Sequence, residues 1–155
     1  MIPDHTTFDI QKDLLFSQLG DHKKMVLSTS AENKVSSRMV SVIILDTAFY
    51  LQTDRTMRKF TQLQTNPYAA LCFENTQIEG ICSVVGRPCE NSAFIALYRK
   101  YFPHAYTLYT GLPNEILVTF SPNYLKRWLY EGEKPYEEIF DFSTRTYLKN
   151  AYFPE

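Results

Sequence analysis

The sequence predicts an α+β domain in which six to eight antiparallel strands form a closed or half-closed barrel with three short helices. The chain has 155 residues, 45% of them hydrophobic, so it is large enough to bury a core of its own. Short β-rich runs alternate with turn residues along most of its length, and three segments instead repeat apolar residues at helical spacing. Residues 1–155 contain no internal repeat or low-complexity linker, so we expect a single domain.

The first element is a helix capped by Thr6 or Thr7 and ended by Gly20. Its apolar residues fall near helical spacing: Phe8, Leu14, Leu15 and Leu19. Three β-rich runs separated by short turns follow, and they predict antiparallel strands over residues 25–30, 35–45 and 49–53.

Two further helices are predicted, over residues 55–65 and 90–101, the second beginning near Cys89 or Asn91. Strands are expected around them, over residues 68–73, 78–85, 116–120, 125–129 and 139–142. The stretch 104–114 is expected to be a loop, and the last dozen residues have no clear pattern.

Composition excludes several classes of function. Sixteen Lys and Arg against seventeen Asp and Glu leave no overall field that would attract nucleic acid or an anionic membrane. No apolar run approaches the roughly 20 residues that span a bilayer, and the N-terminus does not resemble a signal peptide, so we expect a cytoplasmic protein. The cysteines and histidines lack metal-ligand spacing, so we expect no metal site, with Cys72 and Cys82 as buried free thiols.

Three cations, Arg55, Arg58 and Lys59, fall in the first turn of the predicted second helix. There they oppose the helix dipole, and a bound anion would remove that cost. A phosphate at this position would be held by backbone N–H groups, the Thr53 hydroxyl, Arg58 and Lys59, with Arg38 reaching it from a neighbouring strand.

A simpler alternative needs no ligand. The cations of the second helix would then form a solvated face, and Arg38 would pair with a carboxylate such as Asp54.

Residues 23–86 resemble the FMN-binding split-barrel family typified by pyridoxamine 5'-phosphate oxidase. The motifs that carry the resemblance occur in the family's order: Arg38-Met39-Val40, then Thr53 followed by Arg58-Lys59, then Asn66-Pro67-Tyr68-Ala69, then the strand 81–86 that ends in Gly86. The resemblance implies a split barrel and a homodimer that binds FMN in a groove between two subunits. It also implies a set of cofactor-binding residues: Arg38, Met39, Val40, Gln52, Thr53, Arg58 and Lys59.

The Arg-containing C-terminal segment by which the true oxidase grips pyridoxal phosphate has no counterpart in residues 151–155. The chain therefore looks more like the short general-stress and nitroimidazole-reductase-like relatives. We expect an FMN-dependent oxidoreductase that acts on a small aromatic or nitro substrate and takes electrons from a reduced nicotinamide. The alternatives are a non-catalytic protein that holds flavin or haem on the same barrel, and a site for the deazaflavin F420 in place of FMN.

Substrate contacts are expected from the predicted loop 104–114. Histidine is the usual proton donor at neutral pH, so His104 would donate a proton or a hydrogen bond, and Tyr106 would stack on a planar ligand. The alternatives are a surface histidine and a tyrosine in the core or in a subunit interface.

Overall fold

A computed structural model describes residues 5–153, whose eight strands form one antiparallel sheet that closes into a six-stranded barrel with two strands added. In chain order the elements are α1 (Thr6–Leu19), β1 (His22–Ala31), β2 (Lys34–Leu45), β3 (Ala48–Asp54), α2 (Arg58–Thr65), β4 (Tyr68–Phe73), β5 (Thr76–Gly86), a 3₁₀ turn (Pro88–Glu90), α3 (Ser92–Tyr101), α4 (Pro103–Ala105), a π-helical turn (Tyr106–Thr110), β6 (Glu115–Glu131), β7 (Lys134–Asp141) and β8 (Thr146–Ala151). The predicted fold class is confirmed.

The barrel follows the strand order β3-β2-β1-β4-β5-β6 and closes where β3 also pairs with β6. Side chains alternate along each strand, so every second residue enters the barrel, as Met25 and Leu27 of β1 do. Helix α1 adds Phe8, Leu15 and Leu19 to the same core. Leu14, which we expected on that face, is 52% exposed, because it lies about 100° around the helix from Leu15.

The strands β2 and β3 separate soon after the turn that joins them. They pair only from Ile43 opposite Tyr50 to Leu45 opposite Ala48, whereas β1 and β2 pair along ten positions. Before Ile43 and beyond Tyr50, the barrel wall therefore opens into a gap.

Strand β6 runs for 17 residues where the sequence predicted two strands. Its first part pairs with β3 and its later part with β7, while β5 pairs with it on the other side throughout the change. Pro122 lies at the change of partner and faces Gly80 at a β-bulge, and a strand can accept proline there. The sequence Ser121-Pro122-Asn123 is typical of a turn, which explains why two strands were wrongly predicted in place of one.

Three further predictions are corrected. Helix α2 begins at Arg58, and residue 55 lies in the turn before it. Most of the expected loop 104–114 is helical, since the backbone N–H of Tyr106 donates to Phe102 and continues the turn of α3 and α4. Cys82 is buried as expected, but Cys72 is exposed because its side chain falls on the outer face of β4. None of the described helices is long and apolar enough to cross a membrane.

Candidate functional site

A pocket of about 320 Å³ lies in the gap between β2 and β3. The two strands and the helical segments above them line it: Met39, Val40, Ser41, Gln52, Thr53, Asp54, Met57, Lys59, Tyr98, Ala105, Tyr109 and Glu115. Five of the seven predicted cofactor-binding residues are among them, which brings together two motifs that are more than ten positions apart in the sequence.

The turn after β3 sets the position of α2. The backbone N–H and the hydroxyl of Thr56 both donate to Oδ1 of Asp54, at 2.7 and 2.6 Å. This side-chain turn competes with helix formation and delays the helix until Arg58. Only Arg58 and Lys59, not Arg55, therefore lie in its first turn, and no side chain caps that end.

Thr53 presents a polar atom with no partner. Its side chain is buried, with 3% exposed, and no described residue hydrogen bonds to the hydroxyl. A buried hydroxyl left in this state costs about 1–3 kcal/mol. A ligand atom in the adjacent pocket that donates to or accepts from Thr53 would remove the cost.

Arg38 does not line this pocket, and neutral groups fix its guanidinium. Its guanidinium donates to the Thr29 hydroxyl at 2.8 Å and to the Leu27 carbonyl at 3.2 Å. Thr29 in turn donates to Gln62 of α2 at 2.6 Å, so β1, β2 and α2 hold the group together. The alternative pairing of Arg38 with Asp54 does not occur.

The charge of Arg38 interacts with those of two further predicted cofactor-binding cations, Arg58 and Lys59. Burial, and then the charge of Arg58, lowers the pKa of Arg38. Burial, and then the charge of Arg38, lowers the pKa of Lys59, against the opposing effects of Glu115 and Asp54. No described carboxylate lies within ion-pair distance of these cations, so their repulsion is left for an anion to relieve. Arg58 lines a neighbouring pocket rather than this one.

The sequence did not reveal Glu115. This residue begins β6 directly opposite Asp54 and is 4% exposed on the pocket wall. Burial and then Asp54 raise the pKa of its carboxyl, and Lys59 opposes them. Burial and Glu115 raise the pKa of Tyr98 to about 12. A single acidic residue before an apolar strand carries no signal of such a role.

The predicted substrate residues lie elsewhere. Neither His104 nor Tyr106 lines the pocket, and Tyr106 instead faces a separate pocket beside Cys89. Their neighbours Ala105 and Tyr109 line it, since a helical segment directs different residues toward the gap than a loop would. Both substrate contacts remain untested predictions.

The gap residue Gln52 is tied to this helical segment. The Thr110 hydroxyl donates to its Oε1 at 2.9 Å and anchors the π-helical turn to β3.

Among residues 5–153, no group of three or more His, Cys, Asp or Glu could hold a metal ion. The pocket thus offers the Lys59 cation, an unpartnered hydroxyl and two tyrosine side chains, which can hold an anion joined to a planar group.

The sequence matches no protein-family model and no curated protein. Solved structures do match. General Stress Protein 26 from Bacillus anthracis is 21% identical, with 75% of this chain and 91% of that one covered and a TM-score of 0.57. A pyridoxamine 5'-phosphate oxidase-related, FMN-binding protein from Nostoc punctiforme is 16% identical, with 84% and 87% covered and a TM-score of 0.59.

A NimC/NimA family protein from Clostridium acetobutylicum is 14% identical, with 92% of this chain and 93% of that one covered and a TM-score of 0.54. At these identities the matches establish the fold. The chain has the split-barrel fold of the pyridoxamine 5'-phosphate oxidase-like FMN-binding proteins, as the sequence resemblance implied.

Proposed function

We propose that this protein binds FMN in the pocket between β2 and β3 and acts as an FMN-dependent oxidoreductase on a small aromatic or nitro substrate. The observation that carries the proposal is the unpartnered, buried Thr53 hydroxyl beside cations that lack a carboxylate partner. The FMN-binding relative from Nostoc punctiforme, which shares the fold, supports a flavin as the ligand.

The residues fit the parts of this ligand. Lys59, the free N–H groups at the start of α2 and the Thr53 hydroxyl would hold the phosphate, with Arg38 and Arg58 adding charge. Met39 and Val40 would lie along the ring, and the Gln52 carboxamide would meet its polar edge. When bound, the flavin supplies the electron transfer, and the protein supplies position, charge and exclusion of water.

The outer face of β2 supports a homodimer. Val35 and Met39 lie on the same side of this strand and are 72% and 60% exposed. Met57 and Tyr109 add half-exposed apolar groups around the pocket. A second copy of the chain that covers this face would bury them and complete the flavin site.

A double charge reversal tests the cofactor site. Arg58→Glu with Lys59→Glu should abolish retention of FMN, because it replaces two cations at the proposed phosphate position with anions. The measurement is the visible absorbance of the protein after FMN is added and free FMN is removed by desalting. Arg55→Glu with Lys12→Glu, an equal charge change outside the pocket, is the control and should retain the flavin bands. Unchanged retention by the double variant at Arg58 and Lys59 would disprove this phosphate site.

One observation favours a non-catalytic flavin-binding protein as the second candidate. Neither predicted substrate residue, His104 nor Tyr106, lines the pocket, and no histidine or cysteine does. Anaerobic addition of NADH or NADPH to the FMN-loaded protein separates the two functions. Bleaching of the flavin absorbance supports the oxidoreductase, and a flavin that stays oxidised supports a binding or sensing role.

A further inference from the structure

Glu115 is a buried acid that no neighbour satisfies. Among the described residues its carboxyl makes no hydrogen bond and no ion pair within 4 Å, although only 4% of the residue is exposed. Asp54, directly opposite, differs, because Thr56 donates twice to its carboxylate. Asp54 therefore has a structural role in the turn, while Glu115 faces the pocket without one.

Charged and titratable groups face Glu115 from each element around it. Asp54 of β3 and Lys59 of α2 act on it in opposite directions, and Tyr98 of α3 and Tyr109 of the π-helical turn line the same pocket. Burial and Asp54 raise the pKa of Glu115, so its ionised form is already disfavoured in the empty protein.

A phosphate dianion held by Lys59 would weaken the one interaction that favours the ionised form. Within the described part of the chain, Lys59 is the only cation whose charge lowers the pKa of Glu115. Once that cation is neutralised by the ligand, and negative charge enters the same pocket, the carboxylate loses its support and meets further repulsion.

We propose that Glu115 takes up a proton from solvent when a phosphate-bearing ligand binds, so that the affinity of the site for phosphate esters falls as the pH rises. The proton adds to one carboxylate oxygen, and no bond to the ligand forms or breaks. The proposal rests on the proposed function, since it assumes that the ligand phosphate is held by Lys59. Glu115 thus sets the pH dependence of phosphate binding, with no part in electron transfer.

The test compares FMN with riboflavin, which has the same ring and ribityl chain but no phosphate. Dissociation constants are measured from flavin fluorescence between pH 5.5 and 8.5 at constant ionic strength, for the wild-type chain and Glu115→Gln. The phosphate of free FMN itself titrates near pH 6, and this contribution is common to both proteins. Glu133→Gln, an exposed residue in the β6–β7 turn, is the matched control.

The FMN dissociation constants of wild type and Glu115→Gln should be closest at pH 5.5, because low pH favours the neutral form of the Glu115 carboxyl. At pH 8.5 the variant should bind FMN about tenfold more tightly or better. The ratio of the riboflavin dissociation constants of wild type and Glu115→Gln should change much less with pH. The control Glu133→Gln should bind both flavins as the wild type does.

Equal pH profiles for wild type and variant would overturn the role of Glu115 while leaving the flavin site intact, and so would weaker binding of FMN by the variant at pH 8.5. Failure of the wild type to bind FMN at any pH would instead overturn the proposed function itself. If Glu115→Gln does not fold, calorimetry of FMN binding to the wild type at pH 8, in two buffers of different ionisation enthalpy, counts the protons taken up. A count near zero would overturn the proposal.

Discussion

Two buried threonines show how one hydroxyl contributes to stability and another to binding. Thr53 has no partner, whereas Thr29 donates to Gln62 and accepts from Arg38. Thr53→Val should therefore leave the free energy of unfolding of the flavin-free protein unchanged or raise it by about 1 kcal/mol, because it removes an unsatisfied polar atom. Thr29→Val should lower it by about 1–3 kcal/mol.

Urea unfolding of the flavin-free proteins measures both changes in stability. FMN titration measures how Thr53→Val changes the affinity for the flavin. Thr53→Val should weaken FMN binding by about tenfold, the equivalent of one hydrogen bond to a charged group. A marked loss of stability in Thr53→Val would mean that the hydroxyl already has a partner in the free protein.

We also expect the free energy of unfolding to depend on pH because of Glu115. Its pKa is raised in the folded chain above the ordinary value of 4.5, so the folded state holds the proton more tightly than the unfolded state does. That contribution is full below the unfolded pKa and is lost as the pH rises through the folded pKa. Glu115→Gln should thus gain stability relative to wild type between pH 4 and pH 8, as measured by urea unfolding without ligand. A difference that does not vary with pH would contradict this.

At the scale of elements, the close packing of β5 on β6 depends on Gly80. A Cβ atom there would lie 2.5 Å from both the Phe120 ring and the Ser121 carbonyl oxygen. Gly80→Ala should lower the free energy of unfolding by about 1–3 kcal/mol or more. Gly111→Ala, where a Cβ atom would meet nothing within 4 Å, is the control and should change it little. Equal unfolding midpoints for the two variants would show that the strands move apart at no cost.

The elements also show what local sequence can specify. Strands β1 to β5 and helix α3 follow from alternation, turn residues and a cap near Cys89 or Asn91, of which Asn91 is the one that accepts from the backbone N–H of Phe94. The start of α2 does not, because it depends on one side chain, Asp54, folding back on Thr56. The burial of Glu115 opposite Asp54 and the exclusion of His104 from the pocket depend on which distant elements meet, and a single sequence does not encode this locally.

At the scale of the whole molecule, exposed apolar residues on β2 and β4 lead us to expect that the chain self-associates. Val35 and Tyr68 are 72% and 62% exposed and border one open groove. The wild-type chain should sediment at twice its 18.1 kDa. Val35→Lys with Tyr68→Lys should shift it toward the monomer by burying charge in the interface. Leu148→Lys on the outer strand β8, which is 54% exposed, should not. A wild-type monomer that still retains FMN would exclude a site shared between subunits.

Strand β6 runs without a break from the barrel into the sheet formed with the added strands β7 and β8, so the sheet should open locally from its β8 edge. Backbone amides near its middle have strand neighbours on both sides, whereas β8 has a free edge. Exchange of amide hydrogen for deuterium should therefore proceed by fraying along β8 and β7 and slow sharply at β6, where only opening of the barrel exposes the backbone. The two added strands therefore open before the pocket between β2 and β3, which neither of them lines.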